Sequence, residues 1–590
     1  MHRARCGLVL LIAAAVSLSS AGAQSSNGRI SGRVVDGTSG EPVPAATVAY
    51  SPDGNRTRTT VLSDDAGRFA FEGVPAGRLY VSASKTGLVG GYYGQRKYSD
   101  SSQLLDLGAG ERVADVELRM WRRASIAGEV RGQDGRPIAG VDVTAHTLRV
   151  IAGRVGAEAG RKARTDSTGR YTVADLSPGP YVVSVTFGIA PLSAAGRGGG
   201  GGARDQFIDY PRVFYPDGFT VSDATPIELG GGEARVAIDV VQRPQYSVPV
   251  SGRVAGRRDV PLTAELYRTV DGSEFATGLS ALTANVTPDG DFVFPRVTPG
   301  RYVVRVVAFP VLKFTDDTMA VYQMASYSTG GSVAFPSDTA RPFATTSAPT
   351  LWAEVPVIVG AEPVRDLALT LQEAGRIRGV VGFEGSSPTP TPESLTRTVV
   401  FVFDLLGRNL GRFPAAGIAA DGTFSIAGLP PGNYSLMFLP VRSGGDRSAT
   451  WTDHWRSQEV SVDGKRSPAA VIELGATDVP VTLTLTDTLA TLQGVVRDAS
   501  GRQRPEASIL VVQADRKLWT MGAAAKLFRP DRRGGYDTEL APGDYLVSAH
   551  LNLPALWAEA SVLEQLVRSA VRVRIGRGER RWQDLTADQR

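Results

Sequence analysis

The sequence predicts an all-β protein, a tandem array of about five antiparallel, seven-stranded β-sandwiches after a signal peptide, with one short helix near the C-terminus. Three observations support this fold class. A turn motif recurs five times in the 590 residues, a Pro-Gly or Ala-Gly pair with an aromatic residue follows each copy, and helical periodicity is nearly absent. Five copies of one pattern indicate five copies of one domain.

The turn motif combines an aspartate, a glycine and an aromatic residue. Its copies are Asp64–Phe69, Asp166–Tyr171, Asp289–Phe292, Asp421–Phe424 and Asp531–Tyr536. The aspartate can accept hydrogen bonds from the turn, and the glycine can take positive φ, which suits a hairpin. We therefore expect each aromatic residue to point into a core. The next strand starts at the second landmark, in Ala76–Tyr80, Pro178–Tyr181, Pro299–Tyr302, Pro431–Tyr434 and Pro542–Tyr545.

Each repeat opens with a strand that carries a central glycine. These glycines are Gly32, Gly128, Gly252, Gly379 and Gly494, separated by 96, 124, 127 and 115 residues. A loose period is expected where surface loops differ in length. The predicted boundaries are a signal peptide at 1–23 and sandwiches at 24–119, 120–243, 244–373, 374–487 and 488–590.

The N-terminus has the order of a secretory signal peptide. Arg3 and Arg5 precede an apolar run, and small residues at 21–23 offer a cleavage site. Cys6, the only cysteine, would be lost with this leader, so no disulfide or thiolate metal site is expected in the exported chain. Removing the two arginines from 64 basic residues leaves 62 against 60 acidic ones, a balance that favours neither nucleic acid nor a membrane surface as partner. No later stretch is long and apolar enough for a transmembrane segment.

Three segments depart from the strand pattern. Leu556–Val567 is the best helix candidate, within the last repeat. Gly196–Arg204 is a glycine run that predicts a loop insertion, and Ser386–Thr391 predicts an extended surface loop.

The landmarks together resemble the carboxypeptidase regulatory-like domain, a transthyretin-like sandwich related to carbohydrate-binding folds. The proline-rich start of the second strand, Glu41–Val48 and Arg136–Val141, completes the pattern in the first two repeats. The third, fourth and fifth repeats keep the turns but lack this second-strand motif. The resemblance implies the fold and is nearly silent on function.

The residues do not predict an enzyme. A zinc peptidase needs two histidines and a glutamate as ligands. Outside the leader, His146, His454 and His550 fall in three different repeats, and none has a His, Asp or Glu at i+3 or i+4. We interpret them as surface or strand residues and expect no metal and no cofactor. Nucleophile-elbow and phosphate-loop motifs are also missing.

The candidate binding residues are aromatic and follow the second landmark. Tyr and Trp rings can stack on sugar rings while polar neighbours select hydroxyl groups. The six candidates are Tyr92, Tyr93, Tyr215, Trp451, Asp453 and Trp455. The alternative is that these aromatic side chains fold back and cover one end of each sandwich.

The sequence therefore predicts a non-catalytic, secreted or periplasmic binding protein, with a polysaccharide as the first expectation for the ligand. The alternative is an adhesin or an envelope assembly or spacer protein that binds a cell-envelope protein, for example through exposed strand edges. A divergent peptidase or glycosidase with its site in a long loop is the third hypothesis.

Overall fold

The computed structural model describes residues 27–52, 58–100, 102–151, 153–186, 207–256, 262–269, 282–308, 351–396, 398–405, 415–440, 455, 457–467, 471–521 and 525–588. Their regular structure is almost entirely β-strand, which confirms the predicted fold class. The predicted leader and the glycine run at 196–204 lie outside these residues. The chain divides into two compact units, Met1–Arg122 and Arg123–Arg590. The described part of the first unit is one sandwich, and that of the second contains four.

The first sandwich consists of two sheets. Its strands are β1 (Gly28–Asp36), β2 (Thr47–Pro52), β3 (Thr59–Leu62), β4 (Arg68–Val74), β5 (Gly77–Ser84), β6 (Leu88–Val89), β7 (Gly91–Tyr92), β8 (Leu105–Leu107) and β9 (Arg112–Arg122). One sheet has the order β4-β1-β9-β6, and the other has the order β3-β2-β5-β7 with β8 also beside β5. The opening strand β1 is antiparallel to β4 and parallel to the closing strand β9.

The second sandwich repeats this plan. Its strands are β10 (Ala124–Gly132), β11 (Asp142–Ile151), β12 (Arg154–Glu158), β13 (Lys162–Arg164), β14 (Arg170–Leu176), β15 (Gly179–Thr186), β16 (Phe207–Asp209), β17 (Val213–Phe214), β18 (Ile227–Leu229), β19 (Ala234–Arg235) and β20 (Val240–Gln242), with a 3-10 helix at Val221–Asp223. β10 lies between β14 and the β19–β20 pair, and the other sheet runs β12-β11-β15-β17 with β13 beside β11 and β18 beside β15.

The third sandwich borrows one strand from the second repeat. Its own strands are β21 (Gln245–Ala255), β22 (Thr263–Arg268), β23 (Leu282–Asn285), β24 (Asp291–Val297), β25 (Gly300–Ala308), β26 (Leu351–Val359), β27 (Val364–Thr370) and β28 (Gln372–Glu373). β21 pairs with β24 and β27, and its first residues pair with β16. The second sheet has the order β23-β22-β25-β26-β28.

The fourth sandwich has two sheets and one short helix. Its elements are β29 (Gly375–Glu384), α1 (Pro392–Thr396), β30 (Thr398–Asp404), β31 (Ala415–Gly417), β32 (Thr423–Leu429), β33 (Gly432–Pro440), β34 (Ser457–Val462), β35 (Lys465–Ser467), β36 (Ile472–Leu474) and β37 (Val479–Thr486). The sheets are ordered β32-β29-β37-β34-β35 and β31-β30-β33-β36.

The fifth sandwich contains the predicted C-terminal helix. Its elements are β38 (Ala490–Arg497), β39 (Ser508–Gln513), β40 (Lys526–Phe528), β41 (Gly535–Leu540), β42 (Gly543–His550), α2 (Ala560–Leu566), β43 (Val571–Ile575), β44 (Arg580–Trp582) and β45 (Leu585–Asp588), with 3-10 helices at Arg516–Met521 and Val567–Ser569. β45 is parallel to both β38 and β42 and so joins the two sheets. The helix prediction is confirmed, with α2 shorter than the predicted segment.

Five clusters of buried apolar side chains fill the spaces between the sheets, one in each sandwich. The aromatic residue after each turn is buried in these clusters, as predicted: Phe69, Tyr171, Phe292, Phe424 and Tyr536. The sandwich boundaries given above stay predictions at the level of individual residues.

The turn motif forms as predicted in the second sandwich, whereas in the third the accepting side chain at the start of the turn is Thr287 and not Asp289. In the second sandwich, Asp166 Oδ1 accepts hydrogen bonds from the Thr168 and Arg170 amides at 2.8 and 3.0 Å, and Gly169 has φ +75°. The third sandwich uses Thr287 at this position, whose hydroxyl accepts the Asp291 amide at 3.0 Å. A side-chain oxygen at the start of the turn thus takes over bonds that a loop backbone would otherwise leave to water.

In the first, second, third and fifth sandwiches, the central glycine of the opening strand is required by a close approach of the closing strand. In the second sandwich the closing strand shifts register between β19 and β20, and Ala237 has φ +61°. The Ile238 carbonyl turns inward, where a Cβ on Gly128 would lie closer than 3.0 Å to its oxygen. Tyr171 donates its hydroxyl to the same oxygen at 2.6 Å. The bulge, the glycine and the tyrosine therefore form one structural unit.

Candidate functional site

The predicted tyrosines occupy three different environments. Tyr92 lies on β7 and is 47% exposed. Tyr93 is half-buried against the core of the first sandwich, and Tyr215 is half-buried against that of the second. Of these three, Tyr92 alone is exposed to solvent.

Trp455 is buried in the fourth sandwich. It is 4% exposed, its ring lies edge-on to Phe383 at a centroid distance of 5.1 Å, and its Nε1 points to the Pro388 carbonyl at 3.4 Å. Both faces of this indole are covered by protein, as in the packing alternative. Trp451 and Asp453, its partners in the predicted site, lie outside the described residues.

His146 and His550 lie on strands, as predicted, and they are buried rather than at the surface. His146 Nε2 is 2.8 Å from Ser184 Oγ on the neighbouring strand, and His550 Nε2 is 2.8 Å from Ser548 Oγ. Burial lowers the pKa of His146 to about 4, so its ring is neutral at physiological pH. His454 is not among the described residues, and within those that are described no three His, Cys, Asp or Glu side chains cluster as metal ligands would.

A candidate binding face that the sequence does not predict lies on the fifth sandwich, at Trp582. This tryptophan is on β44, which is parallel to β38 with Trp582 opposite Gln493. Gln493 in turn is opposite Asp537 of the antiparallel strand β41. Because directly paired residues share a face of the sheet, the three side chains form a row on the outside of the sandwich. We call this row, with Asp584, the Trp582 face.

Hydrogen bonds fix the side chains of the Trp582 face. The indole is 63% exposed, and its Nε1 donates to Asp584 Oδ1 at 2.9 Å. The same carboxylate oxygen accepts the Val495 amide at 2.9 Å, which ties the indole to the strand framework. Gln493 Nε2 donates to Asp537 Oδ2 at 2.8 Å. The result is an exposed, oriented aromatic ring beside an amide and two carboxylates.

The sequence does carry a signal for this face. Trp582 follows the closing turn of the last repeat and stands between Arg581 and Gln583 in a strand of polar residues. An aromatic residue among polar neighbours on a closing strand has no core to enter. Trp582 lies outside the connection after the second landmark, where the predicted aromatic candidates are found.

The first sandwich presents an exposed pair of tyrosines, Tyr80 and Tyr92. Tyr92 is opposite Ser82 of β5, and Tyr80 lies two residues before Ser82 on the same face, 43% exposed. Leu79 fills the core position that a tyrosine fills in the other four repeats. The landmark Ala76–Tyr80 therefore places its aromatic residue outward, not inward.

Two segments of the chain, residues 29–114 and 125–194, match the family model of the carboxypeptidase regulatory-like domain. The resemblance is thus confirmed for the first two repeats, and the matching family is a regulatory-like domain, not a catalytic one. No curated protein matches the chain. In the described residues, no helix is both long and apolar enough to cross a membrane.

Several solved structures are similar to this chain. The Bacillus anthracis TIE protein is 12% identical over 59% of this chain and 51% of its own, with a TM-score of 0.16. A streptococcal ancillary pilin is 12% identical over 59% of this chain and 99% of its own, with a TM-score of 0.18. GBS52, a minor pilin of Streptococcus agalactiae, is 14% identical over 40% of this chain and 99% of its own, with a TM-score of 0.22. At these values the likeness says nothing about function.

Proposed function

We propose that this chain is a non-catalytic, extracytoplasmic binding protein whose ligand is carbohydrate, and that the Trp582 face is a contact site. The observation that carries this proposal is an exposed indole held in place by Asp584 and aligned with Gln493 and Asp537. A large apolar ring at the surface costs solvation free energy, so its fixed orientation supports a role in contact with a ligand.

The chemistry of this face suits a sugar ring. The CH faces of a pyranose can stack on an indole, while its hydroxyl groups act as both donors and acceptors. Gln493 supplies an amide, and Asp537 supplies a carboxylate with acceptor capacity beyond the bond to Gln493. Both lie on strands, so a bound sugar would meet a preformed surface and little ordering entropy would be lost.

The test is a binding titration of the full-length protein against a panel of soluble polysaccharides, followed by calorimetry. We expect one polymer class to bind saturably and Trp582→Ala to abolish that binding, whereas Trp582→Phe retains part of it. Ile358→Ala is the control for removing an exposed apolar side chain, because Ile358 is 75% exposed on the third sandwich, where it lies opposite Arg301 and no exposed aromatic ring is changed. Unchanged affinity in Trp582→Ala would contradict the assignment to this face. Loss of binding in Trp451→Ala instead would place the site in the predicted loop of the fourth sandwich.

The second candidate is a cell-envelope protein that adds a strand to the first sandwich. Within the described residues β3 lies at a sheet edge and pairs only with β2. Its sequence Thr59–Leu62 has high β-propensity and no proline or charge, the features that usually block edge pairing. No response to any polysaccharide, together with a cross-linked envelope partner that is lost in Leu62→Lys, would favour this function.

A further inference from the structure

The second and fifth sandwiches each bury an apolar patch on the outside of a sheet. In the second, Leu148, Val182 and Phe214 point away from the core, since their neighbours Ala145, Val183 and Val213 fill it. They are nevertheless almost fully buried. Outward apolar side chains remain buried only where another layer covers them.

The covering layer of the fifth sandwich is helical. Leu510 and Val512 lie on the outer face of β39 and pack against Trp519, Leu563 and Val567. Arg516 pairs with Glu564 at 2.7 Å and links the 3-10 helix at Arg516–Met521 to α2. The segment 556–567 thus belongs to the fifth sandwich on one side.

The same segment contacts the second sandwich on its other side. Leu556 packs against the outer cluster formed by Leu148, Val182 and Phe214. The Ala560 amide donates to the Gly153 carbonyl, at the turn between β11 and β12, at 2.9 Å. A Cβ on Gly153 would lie 2.7 Å from the Trp519 carbonyl oxygen, and φ there is +69°.

The backbone bond has a specific physical role. The first amides of a helix have no partner within the helix, and a side chain at the N-cap normally accepts one of them. Glu559, the N-cap of α2, makes no such bond. The carbonyl of Gly153, about 400 residues earlier in the chain, accepts the first of these amides, that of Ala560.

We infer that segment 556–567 is a clasp that locks the fifth sandwich to the second, so that the helical layer of one is completed by the hairpin of the other. Glycine is required at position 153 both because its φ is positive and because a Cβ there would meet the Trp519 carbonyl oxygen of the 3-10 helix that packs beside α2. A change at Gly153 should then speed amide hydrogen exchange in segment 556–567, and a change in that segment should speed exchange in the β11–β12 hairpin. This inference is independent of the ligand.

Hydrogen exchange with mass spectrometry on the full-length protein tests the clasp. In Gly153→Val, peptides that cover 556–567 should exchange about tenfold faster, because a factor of ten corresponds to the loss of one hydrogen bond and its packing. Gly135→Val is the matched control. Gly135 is also a turn glycine of the second sandwich with φ +75°, but nothing lies within 4 Å of its Cβ position.

The reciprocal change gives a second reading if Gly153→Val does not fold. Leu556→Glu, in the fifth sandwich, should speed exchange in the β11–β12 hairpin at 148–158, whereas the exposed Gln565→Glu should not. Unchanged exchange at 556–567 in Gly153→Val, an equal change in Gly135→Val, or no effect of Leu556→Glu on the hairpin would each overturn the inference.

Discussion

The second and fourth sandwiches place a glycine at the same point of the opening strand for different reasons. In the second, Gly128 faces the backbone carbonyl of Ile238, which the bulge at Ala237 turns inward. In the fourth, β29 and β37 run parallel without a register shift from Ile377 to Glu384, and Gly379 faces the ring of Phe424. The space beside the glycine is thus filled by a backbone carbonyl in the second sandwich and by an aromatic side chain in the fourth.

The first, third and fifth sandwiches resemble the second in this respect. The central glycine faces a closing-strand carbonyl in each of them: Val116 for Gly32, Leu367 for Gly252 and Gln583 for Gly494. The comparison shows that the same residue type at the same position of the repeat can be required for two reasons. Either a backbone carbonyl or an aromatic ring occupies the space that a Cβ would need. A glycine substitution should be rescued by a second substitution only where the obstacle is a side chain, because a backbone carbonyl cannot be removed by mutation.

The largest expected effect is that of Gly128→Ala. The added methyl group would overlap the Ile238 carbonyl, so the closing strand must move. We expect the free energy of unfolding of the second sandwich to fall by about 3 kcal/mol. Hydrogen exchange of peptides from β10 and β14 measures this change in the second sandwich itself. A local measurement is needed because five sandwiches need not unfold in one step. Gly135→Ala, at an open turn position, is the control for glycine replacement itself.

The next prediction concerns rescue. Gly379→Ala should destabilise the fourth sandwich, and Phe424→Leu should remove the obstacle. The double variant should then be within about 0.5 kcal/mol of Phe424→Leu alone, the range in which no further coupling is resolved. Gly128→Ala should gain nothing from Tyr171→Leu, because its obstacle is backbone. Rescue in both sandwiches would erase the distinction.

Tyr171→Phe should have an intermediate effect. It leaves the buried Ile238 carbonyl without its hydroxyl donor, which costs about 1–3 kcal/mol. Phe424→Tyr is the reverse substitution in the fourth sandwich. Because β29 and β37 pair there without a bulge, we expect the new hydroxyl to find no inward-facing carbonyl and the variant to gain no stability. Burial raises the pKa of Tyr171 well above its usual range, so the bond should persist in mildly alkaline solution. Equal exchange rates of β14 in Tyr171→Phe and the parent would contradict this account.

The smallest effect is expected at the turn. The Thr168 hydroxyl, followed by the Arg170 and Thr168 amides, lowers the pKa of Asp166 below its usual value. A carboxyl with a lowered folded-state pKa stabilises the fold above its unfolded pKa, and this contribution disappears as the pH falls through the folded value. Asp166→Ala should therefore speed exchange of the 166–170 turn at neutral pH and little in strong acid. A difference that grows in acid would have the wrong sign.

The local features could be predicted from sequence, because each depends on a few adjacent residues. The positive φ of Gly169 and the inward Tyr171 follow from turn chemistry and strand alternation. The bulge at Ala237 could not be predicted, since it arises where two strands about 100 residues apart meet. The same holds for the candidate site. Tyr92 was proposed and is exposed, but the Trp582 face depends on which strands become neighbours.

The parallel pairing of opening and closing strands has a mechanical consequence. Because β1 and β9 run in the same direction, the chain enters a sandwich at one end and leaves it at the other. Tension on the two termini of such a sandwich acts along both strands and across their hydrogen bonds, so the whole ladder bears the load at once. The unbroken pairing from Ile377 to Glu384 distributes it most evenly, whereas a bulge interrupts it near Ala237. Each sandwich built in this way resists stretching along its length through the hydrogen bonds between its opening and closing strands.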